Sequence, residues 1–334
     1  MLKHFQRVGI IGAGAWGTAL ACNARRSGLD VIIWAKEDNI VESINSFQCN
    51  PTFLPDIKLN SGVIATTNIL EAIDADAVLI ATPAQFTRQV TCDLMEHWNH
   101  NVPAILCSKG IECDTLMMMN EVLSETLPNI PIAVLSGPTF AIEVAKGKPA
   151  AVTLAHKDSD LLNGLTNALS SNVFRIYQSN DIIGAEIGGT VKNVIAIACG
   201  ISEGRKLGDN ARAALITRGL AEIIRLGSAK GGKIETFIGL SGIGDLTLTC
   251  NAMQSRNFAL GFDLGRGNNL EKLIKDRVTV AEGFFSVAAI VKLADSLHIN
   301  MPICNAVNNI VNFNADISET ISAILARPTR EEDF

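Results

Sequence analysis

Residues 8–21 read VGIIGAGAWGTALA: a branched apolar run, three glycines, then a second stretch of mostly small and apolar residues. Gly12, Gly14 and Gly17 fall at G-x-G-x-x-G spacing. The pattern predicts a strand that enters a tight turn and leaves as a helix. Such a turn lets the backbone approach a pyrophosphate, and the helix start adds unpaired N–H groups and a positive dipole end. The competing reading is an ordinary strand–helix turn in another α/β fold, so the surrounding chain has to decide.

Outward from that turn, short branched-apolar runs at 8–11, 30–34, 63–66, 77–81, 104–108, 132–135, 151–154 and 174–177 alternate with amphipathic segments. Strand-length runs separated by helical ones predict βαβ units and a mostly parallel sheet. From about residue 180 strand-like runs nearly vanish, and helical periodicity runs through 182–204, 210–227, 255–264, 279–297 and 306–313. The expected division is a dinucleotide-binding domain over 1–180 and an all-helical substrate and catalytic domain over 181–334. The last residues, RPTREEDF, read as a charged, frayed tail.

Composition narrows the class. A chain of 334 residues suits about two domains at roughly 150 residues each. Hydrophobic residues at 48% and charged residues at 19% place it among globular proteins. A net charge of −6 offers no basic face for nucleic acid or an anionic membrane, so any phosphate site is expected to be local. The eight cysteines form no C-x-x-C pair and read as small buried hydrophobes of a reducing compartment, not as a zinc site. With no leader-like start and no uncharged apolar run of about 18 residues, a cytoplasmic protein without membrane insertion is expected. His97 and His100 lie in a polar segment and are not read as metal ligands; Met117, Met118 and Met119 read as helix packing. No P-loop occurs, and the one G-x-S-x-G spacing, GISEG at 200–204, lies inside the helical run 182–204 and not at a strand-to-helix elbow.

The second strand ends Trp34-Ala35-Lys36-Glu37-Asp38, where an acid would normally receive the ribose hydroxyls of NAD. Lys36 suits a 2′-phosphate and favours NADP over NAD; Glu37 or Asp38 remains able to reach a ribose, and Lys36 reads equally as a solvated loop lysine. Ala81-Thr82-Pro83-Ala84 follows another strand, at the carboxyl edge where ligands of open α/β sheets collect.

Residues 184–204 read GAEIGGTVKNVIAIACGISEG. At three, four and seven residues from Lys192 stand Ala185, Gly188, Gly189, Ala196 and Cys199, so the lysine is expected to rise from a shallow recess. Two adjacent glycines cost about 1 kcal/mol each in a helix, which implies a close neighbour such as a nicotinamide or a small substrate. Desolvation lowers a lysine pKa toward neutrality. Lys192 is therefore the candidate general acid/base and Asn193 a candidate to orient an oxygen; the alternative is a lysine snorkelling from a buried helix.

Residues 239–250 (GLSGIGDLTLTC) form a glycine-rich bend ending in Asp245, which would pair with Lys192 or accept a substrate hydroxyl; Thr249 on the same stretch joins the candidate substrate contacts. Ser255 reads as an N-cap, so Arg256 and Asn257 would open a helix suited to a phosphate dianion. Lys109, after the strand that ends at Ser108, would stand at the carboxyl edge facing a ligand cleft. Each of these also reads as ordinary capping or solvated surface charge.

Taken in order, GAGAWG, SKGIE, LSGPTFAIEVAKGKPAA, the Lys192-Asn193 helix with KLGDNARAALITRGLAEI, GLSGIGDLTLTC, SRN and TVAEG strongly resemble the bacterial NAD(P)-dependent glycerol-3-phosphate dehydrogenases, over about residues 7–313. The resemblance implies a Rossmann-type domain followed by an all-α domain like that of 6-phosphogluconate dehydrogenase, in a homodimer. It also implies interconversion of dihydroxyacetone phosphate and sn-glycerol 3-phosphate for phospholipid synthesis. It makes Lys192 the proton acceptor and puts Lys109, Gly137, Thr139, Asp245, Ser255, Arg256 and Asn257 on the substrate. Ala15, Trp16, Lys36, Lys109, Ala141, Arg256, Val280 and Glu282 would contact the dinucleotide. Three positions depart from the commoner pattern: Ala15 and Thr139 stand where serine is frequent, and Lys36 where histidine or arginine is. Two other readings stay open, a reductase of the same architecture acting on a β-hydroxyacid or ketopantoate-like carbonyl, and a sensor that holds NADPH without turnover.

Overall fold

The computed structural model describes residues 5–275 and 281–328. Val280 and residues 329–334 of the expected tail lie outside them. The chain divides into two compact units: residues 1–108 with 119–182, and residues 109–118 with 183–334.

The first unit is built on strands β1 (Arg7–Ile11), β2 (Asp30–Trp34), β3 (Cys49–Asn50), β4 (Leu54–Lys58), β5 (Val63–Thr66), β6 (Ala77–Ile80), β7 (Ala104–Leu106), β8 (Ile132–Ser136), β9 (Ala150–Ala155) and β10 (Phe174–Ser179). Eight of them form one sheet in the order β10-β9-β8-β7-β6-β1-β2-β5. Around it run α1 (Ala15–Arg26), α2 (Asp38–Phe47), α3 (Ile69–Ile73), α4 (Ala84–Leu94), α5 (Met119–Thr126), α6 (Ala141–Ala145) and α7 (Ser159–Leu169). The order reverses beside β1, since β2 lies on one side and β6 on the other, both parallel to it. Ligands of open α/β sheets bind at such a reversal, outside the carboxyl ends of the strands. Ile10, Ile11, Ile33, Leu79 and Ile105 are almost completely buried, as expected for parallel strands covered on both faces.

Two features depart from the simple alternation. β8 and β9 pair antiparallel, and β3 and β4 make a separate two-stranded antiparallel hairpin. The hairpin strands are too short and too polar (CN and LPDIK) to carry a readable strand pattern.

The second unit is helical among its described residues: α8 (Ile182–Gly204), α9 (Asp209–Ala229), α10 (Ile234–Phe237), a π-helical turn at Leu240–Gly244, α11 (Asp245–Cys250), α12 (Arg256–Gly265), α13 (Leu270–Lys275), α14 (Glu282–Ser296), α15 (Pro302–Phe313) and α16 (Ile317–Leu325). At 23 residues α8 is long and apolar enough to cross a membrane by length and composition alone, but 83% of its most apolar window is buried inside the fold. It is the central helix of this unit's core, where Val194, Ile195, Ala196 and Ile197 are fully buried. Ile111 and Met118 belong to the same core, so residues 109–118 form a strap counted with the helices. The three methionines do not share a helix: Met118 bridges to Ile111 and Met119 opens α5. Cys22, Cys107, Cys199, Cys250 and Cys304 are buried as expected, whereas Cys92 is exposed and Cys49 and Cys113 are half-buried; all eight are free thiols.

Candidate active site

Within the first unit, the glycine-rich turn has the expected form. Gly12 has φ +109°, a conformation that L side chains rarely adopt. A Cβ on Gly17 would lie 1.9 Å from the Gly12 carbonyl oxygen, so the third glycine allows helix and turn to touch, while a Cβ on Gly14 would meet nothing within 4 Å. Gly14 is the N-cap of α1 and contributes no side-chain hydrogen bond. The first N–H groups of α1 therefore keep the anion-binding character of an uncapped helix start. Ala15 and Trp16 open that helix, and the Trp16 indole Nε1 is buried without a hydrogen-bond partner. Buried donors are nearly always paired, so this orphan beside an open turn fits a phosphate-bearing group such as a dinucleotide.

Lys36 is exposed and follows the buried Ala35, whose N–H donates to the Thr66 carbonyl. This places the lysine just beyond the carboxyl end of β2. Gly137, with φ +151°, follows β8, and the Thr139 hydroxyl donates to its carbonyl oxygen at 3.3 Å. Ala141 is the first residue of α6, which also lacks a side-chain cap.

Within the second unit, two lysines from separate chain segments converge on one carboxylate. The Lys192 Nζ donates to Asp245 Oδ1 at 2.5 Å, and the Lys109 Nζ donates to Asp245 Oδ2 at 2.7 Å. Lys192 also donates to the Thr249 Oγ1 at 2.8 Å. The Thr249 hydroxyl gives its own proton to the Asp245 backbone carbonyl, 2.6 Å away in the preceding turn of α11, which turns its lone pairs toward the lysine. Two of the three Lys192 N–H bonds are thereby committed, leaving the third to donate to a further acceptor. The side chains of Lys192, Asp245 and Lys109 are 7%, 0% and 14% exposed, so the cluster works at low dielectric.

Burial pulls the Lys192 pKa down to about 8; the charge of Asp245 raises it and that of Lys109 lowers it further. Burial likewise pushes the Glu282 carboxyl above its usual range, opposed by the positive charges of Arg256, then Lys109 and Lys192. Three cations and two carboxylates thus act on one another.

The packing explains why these side chains meet. A Cβ on Gly188, one turn before Lys192, would lie 2.3 Å from the carbonyl oxygen of Ser241. Its close neighbour is the chain's own π-helical turn, which delivers Asp245 to α8, and not the nicotinamide or substrate expected from the sequence. Single π turns inside helices recur at functional sites. The helix face is also less open than its small residues suggested, because Ile195, three residues beyond Lys192, is fully buried against Gly219.

Ser255 caps α12, accepting from the Phe258 N–H at 3.2 Å, so Arg256 and Asn257 open that helix as expected. Asn257 already has a partner: its Oδ1 accepts from the Gly283 N–H at 3.0 Å and so caps α14, whose own N-cap, Ala281, makes no side-chain bond. Asn193 is 6% exposed; a Cβ on Gly283 would come within 2.7 Å of its carbonyl oxygen and 2.9 Å of Asn257 Oδ1. Gly283 therefore sets how closely α14, and with it Glu282, approaches α8. Sequence reasoning missed Gly283, although a lone glycine in the first turn of a helix is itself a sign of close backbone approach. It also missed the tie between Thr190 and Gly110, whose hydroxyl and carbonyl lie 3.3 Å apart and link the Lys109 strap to α8. Lys109 follows β7 as the sequence implies, and its ammonium has a partner the sequence does not reveal, the Asp245 carboxylate.

Among the described residues no three His, Cys, Asp or Glu side chains are grouped to hold a metal.

Comparison with known proteins agrees with this arrangement. Residues 7–162 match the family model for the N-terminus of NAD-dependent glycerol-3-phosphate dehydrogenase, and residues 181–322 match that for its C-terminus. A glycerol-3-phosphate dehydrogenase [NAD(P)+] of Rhodospirillum rubrum is 50% identical over 99% of this chain and 95% of its own. One of Parvibaculum lavamentivorans is 49% identical over 99% of this chain and 100% of its own. The crystal structure of the glycerol-3-phosphate dehydrogenase of Coxiella burnetii superposes with a TM-score of 0.93 at 36% identity, over 98% of this chain and 100% of that one. The chain belongs to the NAD-dependent glycerol-3-phosphate dehydrogenase family.

Proposed function

We propose that the protein interconverts dihydroxyacetone phosphate and sn-glycerol 3-phosphate, with NADPH favoured over NADH. The first unit holds the dinucleotide through Gly12, Gly14, Ala15, Trp16, Gly17, Lys36 and Ala141. The second carries substrate binding and proton transfer. When bound there, a reduced nicotinamide would supply the hydride for the ketone carbon. Lys192 gives its free N–H to the ketone oxygen and passes the proton as that oxygen becomes a hydroxyl; in the reverse direction it accepts the proton.

Asp245 and Thr249 aim the ammonium, and Lys109 draws its pKa toward neutrality by like-charge repulsion. Arg256, at the start of α12, offers a guanidinium fork and the helix N-terminus to the phosphate, with Ser255 and Asn257 fixing the helix start. Asn193 lies beside Lys192 on α8. Gly137 and Thr139 are further substrate contacts, and Lys109, Arg256, Glu282 and Val280 further dinucleotide contacts. The protein works as a cytoplasmic homodimer that feeds phospholipid synthesis, a reading supported by the resemblance of its motifs to the family.

The observation that carries this reading is the buried Lys192 with two donors tied down, one free and a pKa near 8. An ammonium so poised matches general acid/base work at neutral pH. Following nicotinamide absorbance with dihydroxyacetone phosphate, and separately with unphosphorylated ketones and β-ketoacids, tests it. Rapid oxidation only with the phosphoester is expected. Faster turnover of an unphosphorylated ketone would transfer the protein to another reductase class, and tight NADPH binding with no turnover would make it a sensor.

A further inference from the structure

Asn50, in the β3–β4 hairpin of the first unit, is fully buried yet bonded almost wholly to a distant segment. Its Nδ2 donates to the Ala13 carbonyl at 2.8 Å and to the Thr18 Oγ1 at 2.9 Å. Its Oδ1 accepts from the Phe53 N–H at 3.3 Å, and that bond decides which way the amide faces. The Thr18 hydroxyl donates to the same Ala13 carbonyl at 3.2 Å.

Ala13 stands between the first two glycines of the turn, so its carbonyl oxygen belongs to the peptide plane that carries the Gly14 N–H. In a trans peptide these two groups point in opposite directions. Two donors that pin the carbonyl inward therefore aim the Gly14 N–H outward, toward the side on which a Cβ at Gly14 would meet nothing. Gly14, whose φ is the torsion on one side of that peptide plane, gives it little restraint of its own.

We propose that Asn50, with Thr18, is a positioning residue for dinucleotide binding: it fixes the Ala13–Gly14 peptide so that the Gly14 N–H is pre-aimed at the pyrophosphate. The inference rests on the reading that this turn holds the dinucleotide. The β3–β4 hairpin then serves to carry a buried amide to the floor of the turn.

The test measures NADPH binding by fluorescence, and steady-state kinetics, for the wild type and Asn50→Asp. The variant keeps the side-chain shape but replaces the donor with a carboxylate facing a carbonyl. The expected result is a rise of about tenfold or more in dinucleotide Kd and KM, the scale set by one buried hydrogen bond. The kcat at saturating dinucleotide and the KM for dihydroxyacetone phosphate should stay within about twofold.

Should Asn50→Asp fail to fold, Thr18→Val and Thr18→Ser decide: the first weakens dinucleotide binding and the second, which keeps the hydroxyl, restores it. Unchanged binding in the folded variants overturns the inference alone. So does a parallel loss of kcat and both KM values, which marks a general structural role. A wild type that binds neither NADPH nor NADH overturns the dinucleotide reading and this inference with it.

Discussion

The glycine-rich turn and the lysine cluster are built in opposite ways. The turn takes its backbone path from six consecutive residues, with one peptide braced by the Asn50 and Thr18 side chains, and its candidate binding groups are backbone N–H bonds at the start of α1. The cluster draws on residues 109, 192, 245, 249, 256 and 282, and its groups are side chains whose charges set one another's proton affinity. The first can be spoiled by adding a Cβ; the second by removing a charge. A site for an invariant ligand part such as a pyrophosphate is served by rigid local backbone. A site that must exchange a proton needs tunable side chains, and low dielectric there makes each neighbour count.

That contrast can be broken from either side. Removing the amine acts on chemistry alone: Lys192→Ala is expected to lower kcat by about 10²–10⁴, the range for losing a general acid/base. Dinucleotide Kd should be unchanged. A parallel loss of NADPH binding would make the lysine part of the dinucleotide site. Gly17→Ala acts on the backbone alone, since the new Cβ would meet the Gly12 carbonyl at 1.9 Å. Displacing the turn by even about 1 Å should weaken dinucleotide binding roughly a hundredfold. Wild-type Kd in that variant would remove the turn from the binding site.

Legibility in the sequence follows the same divide. Gly12, Gly14 and Gly17 could be read because spacing along the chain is spacing in space. Likewise the long strands, Ser255 as a cap and the helix under Lys192 are local patterns. The partnership of Asp245 with Lys192 was one of two options from sequence, because nothing local relates residues 53 apart. The pairing of Lys109 with Asp245 was hidden for the same reason: the chain leaves β7 and contributes residues 109–118 to the helical unit before returning to α5. Gly188 was read correctly as a point of close approach, but its neighbour is the Ser241 carbonyl, which no helical periodicity reveals. The antiparallel β8–β9 pairing and the β3–β4 hairpin were invisible because strand direction and two-residue strands leave no hydrophobic signature.

Smaller effects sharpen the comparison. Arg256→Ala removes a charge-assisted contact and should raise the KM for dihydroxyacetone phosphate by about 10- to 100-fold. Its kcat at saturation should fall much less. An unchanged KM would free Arg256 from the phosphate. Lys36→Ala removes an exposed charge, so only a few-fold shift of the NADPH/NADH kcat/KM ratio toward NADH is expected at physiological salt. An unaltered ratio would take away the reason for favouring NADP.

The central claim is that the buried Lys192 amine exchanges its proton near neutrality. The measurement that meets it most directly is kcat against pH in both directions, for the wild type and for Lys192→Ala. With the Lys192 pKa lowered to about 8, ketone reduction needs the ammonium and should decline as pH rises through that value. Alcohol oxidation needs the neutral amine and should rise through it, and the residual activity of the variant should have neither inflection. Flat wild-type profiles between about pH 7 and 9, or the same inflections without the lysine, would contradict it.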